Sequence, residues 1–193
     1  MKNLNRYTRL LMLVCSLALI PVVFLPIWKI DLWAPQYPEG LVLKIYADKL
    51  GGDVEVINGL NHYVGMKTLH TEDFPEFGLL PGIITGIALL GLIAALLNKR
   101  GFLYAWAGTL VTFAIAALVD FWRWEYDYGH NLDPTAPIQI PGVGYQPPLI
   151  GYKQLLNFGA YSVPDTGGWI FVLVGVVLAA IAVYEYRFSV KRI

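Results

Sequence analysis

The chain has 193 residues, of which 56% are hydrophobic and 14% aromatic, and its mean hydropathy is +0.54. This composition excludes an ordinary soluble domain and is typical of a small integral membrane protein, here one membrane domain over residues 1–193. The 14 basic and 14 acidic residues leave no net charge, so the sequence indicates no nucleic acid partner.

Four apolar runs approach the roughly 20 residues that a membrane-spanning helix needs. They cover about residues 10–28, 78–97, 102–119 and 169–186. The second and third runs are joined by the short basic turn 98–101, so these helices are predicted to be antiparallel neighbours. The one cysteine, Cys15, lies inside the first run, which excludes an intrachain disulfide and a CxxC-type metal site.

The segment between the first two runs, residues 29–77, is polar enough to leave the membrane. Within it, Pro38 to Leu50 has the pattern of a short amphipathic helix that ends at Gly51-Gly52. Asp53 to Ile57 alternates like a brief strand that leads into a turn at Asn58-Gly59.

The other long segment, residues 120–168, begins with an aromatic stretch that is predicted to continue the third helix to about Tyr128. The prolines between Pro134 and Pro148 predict an extended chain there. Ile150 to Phe158 is predicted to be a short amphipathic piece on the surface.

The distribution of charge predicts the orientation in the membrane. The two termini and the 98–101 turn hold most of the basic residues and one acid, Glu185, whereas the two long segments hold the other acids. Short segments rich in Lys and Arg stay in the cytoplasm. The sequence therefore predicts an all-α protein of a bacterial inner membrane, with four transmembrane helices, both termini inside, and two periplasmic loops that form a small cap.

Three residues of the first loop are candidate metal ligands. His62, Met66 and His70 are spaced i, i+4 and i+8, so a helix would place them along one stripe. Imidazole and thioether groups are a soft donor set that suits copper. An interfacial helix in which these side chains only pack is the alternative.

The third histidine, His130, lies in the second loop between Asp127 and Asp133. These carboxylates are suited to binding a metal or to orienting the imidazole, although a simple turn explains them as well. Because both loops emerge over one small bundle, His62, Met66 and His130 are predicted to converge on one copper site, with His70 and Asp127 as the nearest alternates.

The order of these features resembles that of a known family. A basic N-terminal anchor is followed by Asn61-His62-Tyr63-Val64-Gly65-Met66, by a tight basic hairpin, and by Tyr128-Gly129-His130-Asn131-Leu132-Asp133-Pro134 with Tyr145-Gln146-Pro147-Pro148. In this the chain is similar to the small four-span membrane proteins encoded in clade II nitrous-oxide reductase gene clusters. The resemblance implies an accessory role in periplasmic nitrous-oxide reduction, beside a protein partner of that system.

The functional expectation is a non-catalytic accessory protein that handles copper or docks a copper-delivering partner. The first alternative is a membrane electron-transfer component that links the quinol pool to a periplasmic reductase. One cysteine and three histidines give no evident haem or iron–sulfur ligand set, so that role needs a cofactor-bearing partner. The second alternative is a structural scaffold.

Overall fold

The computed structural model of the protein describes residues 3–190, with the side chains of residues 3–187. Helices and strands alternate in blocks along this part of the chain. The helices are α1 (Arg6–Leu19), α2 (Val54–Val64), α3 (Leu80–Leu97), α4 (Arg100–His130) and α5 (Thr166–Val190), and the strands are β1 (Trp28–Ala34), β2 (Tyr37–Ile45), β3 (Leu50–Gly52), β4 (Gly151–Leu155) and β5 (Phe158–Pro164).

The fold is mixed α and β, so the prediction of an all-α protein is wrong. The five strands form one antiparallel sheet in the order β3-β2-β1-β5-β4. β1, β2 and β3 come from the first long segment, and β4 and β5 come from the second. The sheet therefore joins the two segments through the β1–β5 pair, in which Ile30 lies opposite Ser162.

Three local predictions fail in the same part of the molecule. The stretch predicted as an amphipathic helix contains β2, because Leu41 and Leu43 share one face of an extended chain and both are buried there, with Leu43 paired to Ile30 of β1. The stretch 53–57, predicted as a strand, begins α2. The predicted surface piece 150–158 is instead β4 and the turn into β5.

Helix α2 packs on the sheet. Its buried residues Ile57, Asn61 and Val64 recur at helical spacing on one face. The helix ends at Gly65, which has the left-handed backbone angle φ of 80° that favours glycine. The following chain is fixed because Asn58 accepts a hydrogen bond from the Leu69 N–H at 2.7 Å and donates one to the Leu69 carbonyl at 3.1 Å.

The four other helices form a bundle below the sheet, in which α1 and α4 each pack against both α3 and α5. Gly91 of α3 allows a close approach, because a β-carbon there would overlap Trp106 of α4 and Ser16 of α1. The Trp106 indole donates a hydrogen bond to the Ile87 carbonyl at 2.9 Å. By length and composition, four stretches suit a membrane crossing: Arg6–Phe24, Leu80–Leu97, Arg100–His130 and Thr166–Arg187.

Helix α4 extends beyond the bundle into the sheet layer. Its 31 residues span about 46 Å, more than the roughly 30 Å of a hydrocarbon core. The turns after Asp120 lie outside the predicted span 102–119, and there Glu125 and Tyr128 are buried. We call the sheet, α2 and these last turns of α4 the cap.

Candidate functional site

A cavity of about 390 Å³, here called the groove, lies between α4, α5 and the base of the sheet. The two helices approach each other where a β-carbon on Gly175 would lie 3.9 Å from Leu110 Cδ2. The first turn of α5 packs instead on the chain before β1, because Gly168 lies against the Ile27 carbonyl. No residue of α4 from 111 to 119 is buried, so the space between the helices stays open.

Aromatic rings line the end of the groove next to the cap. The Phe121 ring lies 5.5 Å from Trp28 and 5.6 Å from Trp124, and Phe74 lies 5.3 Å from Trp124 and 5.4 Å from Phe77. All five residues line the groove. This end therefore offers ring faces and edges to a flat ligand.

The opposite end of the groove is aliphatic. Leu110, Val111 and Ala114 of α4 face Val172 and Gly175 of α5 across it. The lining residues of α4 run from Leu110 to Trp124, a rise of about 21 Å along the helix axis. The groove is thus long, narrow and apolar over most of its length.

The acidic residues that line the groove are neighbours, along the chain, of the aromatic residues at its cap end. Asp120 precedes Phe121, Glu76 lies between Pro75 and Phe77, and Tyr46 adds a phenol. The Trp124 indole N–H is buried and has no hydrogen-bond partner within the described chain. A ligand with an aromatic, oxygen-bearing head and an apolar tail matches this arrangement.

The structure does not place the predicted ligands of the first loop on one helical stripe. α2 ends at Gly65, so only His62 lies on it, exposed and with its ring 6.0 Å from the Tyr63 ring. Met66 is half-buried and packs against the apolar core of the cap. His70 is exposed, and its Nε2 lies 3.1 Å from Thr68 Oγ1.

His62 is close enough to Asp133 to affect it. The pKa of Asp133 is held below its ordinary value mainly by the hydrogen bonds from Thr135, and the charge of His62 has a smaller effect in the same direction. Within the described residues, this electrostatic effect connects His62 of the first loop with the segment that follows His130.

The ligands predicted in the second loop have other partners. The His130 ring stacks on Tyr126 with centroids 4.1 Å apart, and its Nδ1 lies 3.0 Å from the Tyr126 carbonyl. Asp127 accepts a hydrogen bond from Lys67 at 2.6 Å and another from Asn131, and these bonds lower its pKa, Lys67 first.

Within residues 3–187, no three His, Cys, Asp or Glu side chains are close enough to share a metal ion. The charge of His62 acts on Asp133, and the His130 ring stacks on Tyr126. Neither of these contacts brings two of the predicted ligands together. Copper binding by His62, Met66, His70, His130 or Asp127 stays a prediction.

Sequence reasoning missed a second cavity of about 90 Å³, here called the cap cavity, between the sheet and the last turns of α4. Glu125 lines it and is fully buried. Burial raises the pKa of Glu125 to about 8, against a smaller opposite effect of Lys153. An acid inside the aromatic stretch 120–128 was the available signal, but the stretch indicates only an interfacial helix when its partners are unknown.

No protein-family model, no curated protein and no solved structure matches this chain.

Proposed function

We propose that this protein is a membrane component that binds an isoprenoid quinol in the groove and links the quinol pool to a periplasmic reductase. The observation that carries the proposal is the combination of an apolar groove of about 390 Å³ with aromatic rings and carboxylates toward one end. The four long apolar helices support a membrane location.

The head of a quinol fits the chemistry of the aromatic end. A quinol ring packs favourably against the rings of Phe121 and Trp124. Its hydroxyl groups donate hydrogen bonds, and the carboxylates of Asp120 and Glu76 are acceptors at this end.

The tail of an isoprenoid quinol fits the remaining length. The lining residues of α4 from Leu110 to Ala117 belong to the predicted span 102–119, where the surrounding medium is hydrocarbon. A phospholipid chain also suits an aliphatic channel, but it makes no use of five aromatic side chains next to carboxylates. The aromatic end therefore favours a ring-bearing lipid.

A partner must take the electrons. The sequence has one cysteine and three histidines, and Cys15 is buried in the bundle. We infer that the one-electron acceptor is a metal centre of a second protein. The resemblance to the four-span proteins of nitrous-oxide reductase gene clusters suggests that this partner belongs to periplasmic nitrous-oxide reduction.

Copper handling, the other role that the resemblance suggests, has weaker support. Met66 packs in the cap core, and Asp127 is bound to Lys67. Metal analysis of the purified protein tests this role directly: copper that is lost in His62→Ala or Met66→Ala would support it, whereas metal-free protein would contradict it.

A pair of adjacent substitutions tests the quinol site. Ala117 lines the groove, whereas its exposed neighbour Ala116 does not. In Ala117→Phe the ring fills the groove, and we expect the affinity for a short-chain menaquinol to fall at least about tenfold, or roughly 1.4 kcal/mol. Ala116→Phe should bind like the wild type. Quenching of tryptophan fluorescence in lipid nanodiscs measures the affinity.

Extraction of the protein purified from bacterial membranes gives the independent readout. Quinone that co-purifies with the wild type and with Ala116→Phe, but not with Ala117→Phe, would support the proposal. Phospholipid without quinone, together with quenching that does not saturate, would show that the groove is an ordinary lipid site and that the proposal is wrong.

A further inference from the structure

Glu125 is a fully buried acid on the last turns of α4. Within the described chain, neither of its carboxyl oxygens has a hydrogen-bond partner. In such a place an ionised carboxylate costs far more free energy than a neutral carboxyl group. Burial accordingly raises the pKa of Glu125. The arrangement in the structure therefore fits the protonated form of this side chain.

Lys153 of β4 is the residue of the described chain whose positive charge acts on Glu125. Its side chain is exposed, and its ammonium group donates a hydrogen bond to the Gln146 carbonyl at 2.9 Å. A β-carbon on Gly129 would lie 2.4 Å from the backbone of Gln146. Gly129 follows Glu125 by four residues, a rise of about 6 Å along α4. The ammonium group is thus bound about one helical turn from the buried acid.

The proline-rich segment 134–149, here called the strap, contains Gln146. The backbone next to Gln146 belongs to no helix or strand, so individual hydrogen bonds hold this part of the strap in place. The Tyr145 N–H donates to the Gly129 carbonyl at 2.8 Å, and Lys153 binds the Gln146 carbonyl. Lys153 therefore attaches the strap to β4, while Tyr145 attaches it to α4.

The other titratable groups around Glu125 are phenols. Tyr128 of α4 and Tyr145 of the strap line the cap cavity together with Glu125, and α2 adds the amide of Asn61, which does not titrate. The pKa of Tyr128 is raised to about 12, mainly by burial, so this phenol stays neutral where Glu125 titrates. Apart from Glu125, no charged side chain of the described residues lines the cavity. Lys153 is thus the nearby cation for an ionised Glu125.

We propose that Glu125, Lys153 and the strap form a proton-dependent switch. When Glu125 releases its proton to solvent, the Lys153 ammonium leaves the Gln146 carbonyl and pairs with the carboxylate. A buried charge without a partner is strongly destabilising, and a lysine has a flexible stem and three donors with which to reach it. The strap then loses its attachment to β4 and keeps the bond of Tyr145. The inference is independent of the ligand of the groove.

Infrared spectroscopy in lipid nanodiscs tests the protonation step. A protonated carboxyl group has a C=O stretch that the ionised group lacks, and Glu125→Gln assigns the band by removing it. In Lys153→Met we expect the pH midpoint of this band to rise by about 1–3 units, because an adjacent opposite charge lowers the pKa of an acid by that amount. Lys44→Met, at a lysine of β2 that does not act on Glu125, is the control and should keep the wild-type midpoint.

Cryo-electron microscopy of the wild type tests the movement. Maps at about pH 6 and about pH 9 lie on either side of the Glu125 pKa of about 8. We expect the Lys153 ammonium on the Gln146 carbonyl at the lower pH and about 2.7–2.9 Å from the Glu125 carboxylate at the higher pH. In Glu125→Gln it should stay on Gln146 at both.

Three results would overturn the proposal. Equal midpoints in the wild type and Lys153→Met would show that Lys153 does not stabilise the carboxylate. An ammonium group that stays on Gln146 at both pH values would show that the strap does not respond. Absence at the lower pH of any band that Glu125→Gln removes would show that the acid is already ionised. Should Lys153→Met fail to fold, the two maps of the wild type decide.

Discussion

The Arg100 guanidinium lies with its Nε 2.8 Å from Glu185 Oε2, and the Glu185 side chain is 1% exposed. The other carboxyl oxygen of Glu185 accepts hydrogen bonds from the Asn5 N–H and the Thr8 hydroxyl, each at 2.8 Å. One carboxylate therefore connects the starts of α1 and α4 with the last turns of α5, at the end of the bundle away from the sheet.

Glu185→Gln should destabilise the protein by roughly 3–5 kcal/mol, because Arg100 then keeps a buried charge without its partner. Arg187→Gln, at an exposed position two residues further along α5, should change stability little. Thermal unfolding in detergent, followed by tryptophan fluorescence, compares the two. Equal melting temperatures for both variants would contradict the assigned role of this carboxylate.

Asp120→Asn should weaken binding of quinol more than binding of quinone. The carboxylate accepts a hydrogen bond from a quinol hydroxyl, and a bond to a charged group contributes about 1.5–3 kcal/mol. A quinone carbonyl has no such proton to donate. Asp48→Asn, at an exposed position outside the groove, is the matched control. Titration with both redox forms measures the ratio, and an unchanged ratio in Asp120→Asn would remove this residue from the site.

Two glycines, one at the end of α2 and one in its interior, should change the stability of the protein in opposite directions when each is replaced by alanine. In Gly65→Ala, φ of 80° is unfavourable and the new β-carbon lies 2.9 Å from both Ala136 Cβ and the Asp133 carbonyl oxygen. We expect a loss of about 2 kcal/mol. Gly59 lies inside α2 with open space around it, so Gly59→Ala should gain about 0.5–1 kcal/mol. Chemical denaturation of the two variants supplies both values.

The stability of the protein should fall as the pH rises from about 5 to 8. The folded-state pKa of Glu125 is raised to about 8, above the value of about 4.3 for an unfolded chain. Between these two pKa values the folded protein binds one more proton than the unfolded chain. The stabilisation from that proton is complete below the unfolded-state pKa and is lost as the pH rises through the folded-state pKa. Glu125→Gln should remove this part of the slope, which reaches at most about 1.4 kcal/mol per pH unit. Melting temperatures of both proteins across this range test it, and parallel curves would contradict it.

The orientation in the membrane is tested by cysteine labelling in a Cys15→Ser background. We expect an impermeant maleimide to label Thr135→Cys from the periplasmic side of intact cells and to leave Lys99→Cys unlabelled until the membrane is opened. The reverse pattern would invert the topology that the charge distribution predicts.

The helices could be predicted from the sequence far better than the sheet. The apolar run that ends at Leu97 and the one that starts at Phe102 are long enough to be recognised without knowledge of any partner. β2 could not be, because Leu41 and Leu43 suit both a helix and a strand until β1 is known to lie beside them. Residue 28 pairs with residue 164, and no local pattern carries that information.

The candidate site shows the same limit. His62, Met66 and His70 have helical spacing, but one glycine with positive φ ends the helix between the first and the second. The groove depends on where α4 and α5 diverge, which is set by Gly175 and by the contact of Gly168 with Ile27. Spacing within a segment predicts neighbours only when the segment keeps one conformation.

The pairing of β1 with β5 also determines when the sheet can be completed during synthesis of the chain. Residues 28–34 leave the ribosome early, whereas residues 158–164 emerge only after three of the four candidate membrane helices. Until then β1 has β2 as a neighbour but presents its other edge without a partner, which is a state prone to aggregation. Closure of the sheet is thus a late step in the biogenesis of the protein, and nascent chains halted before residue 158 should depend on chaperones.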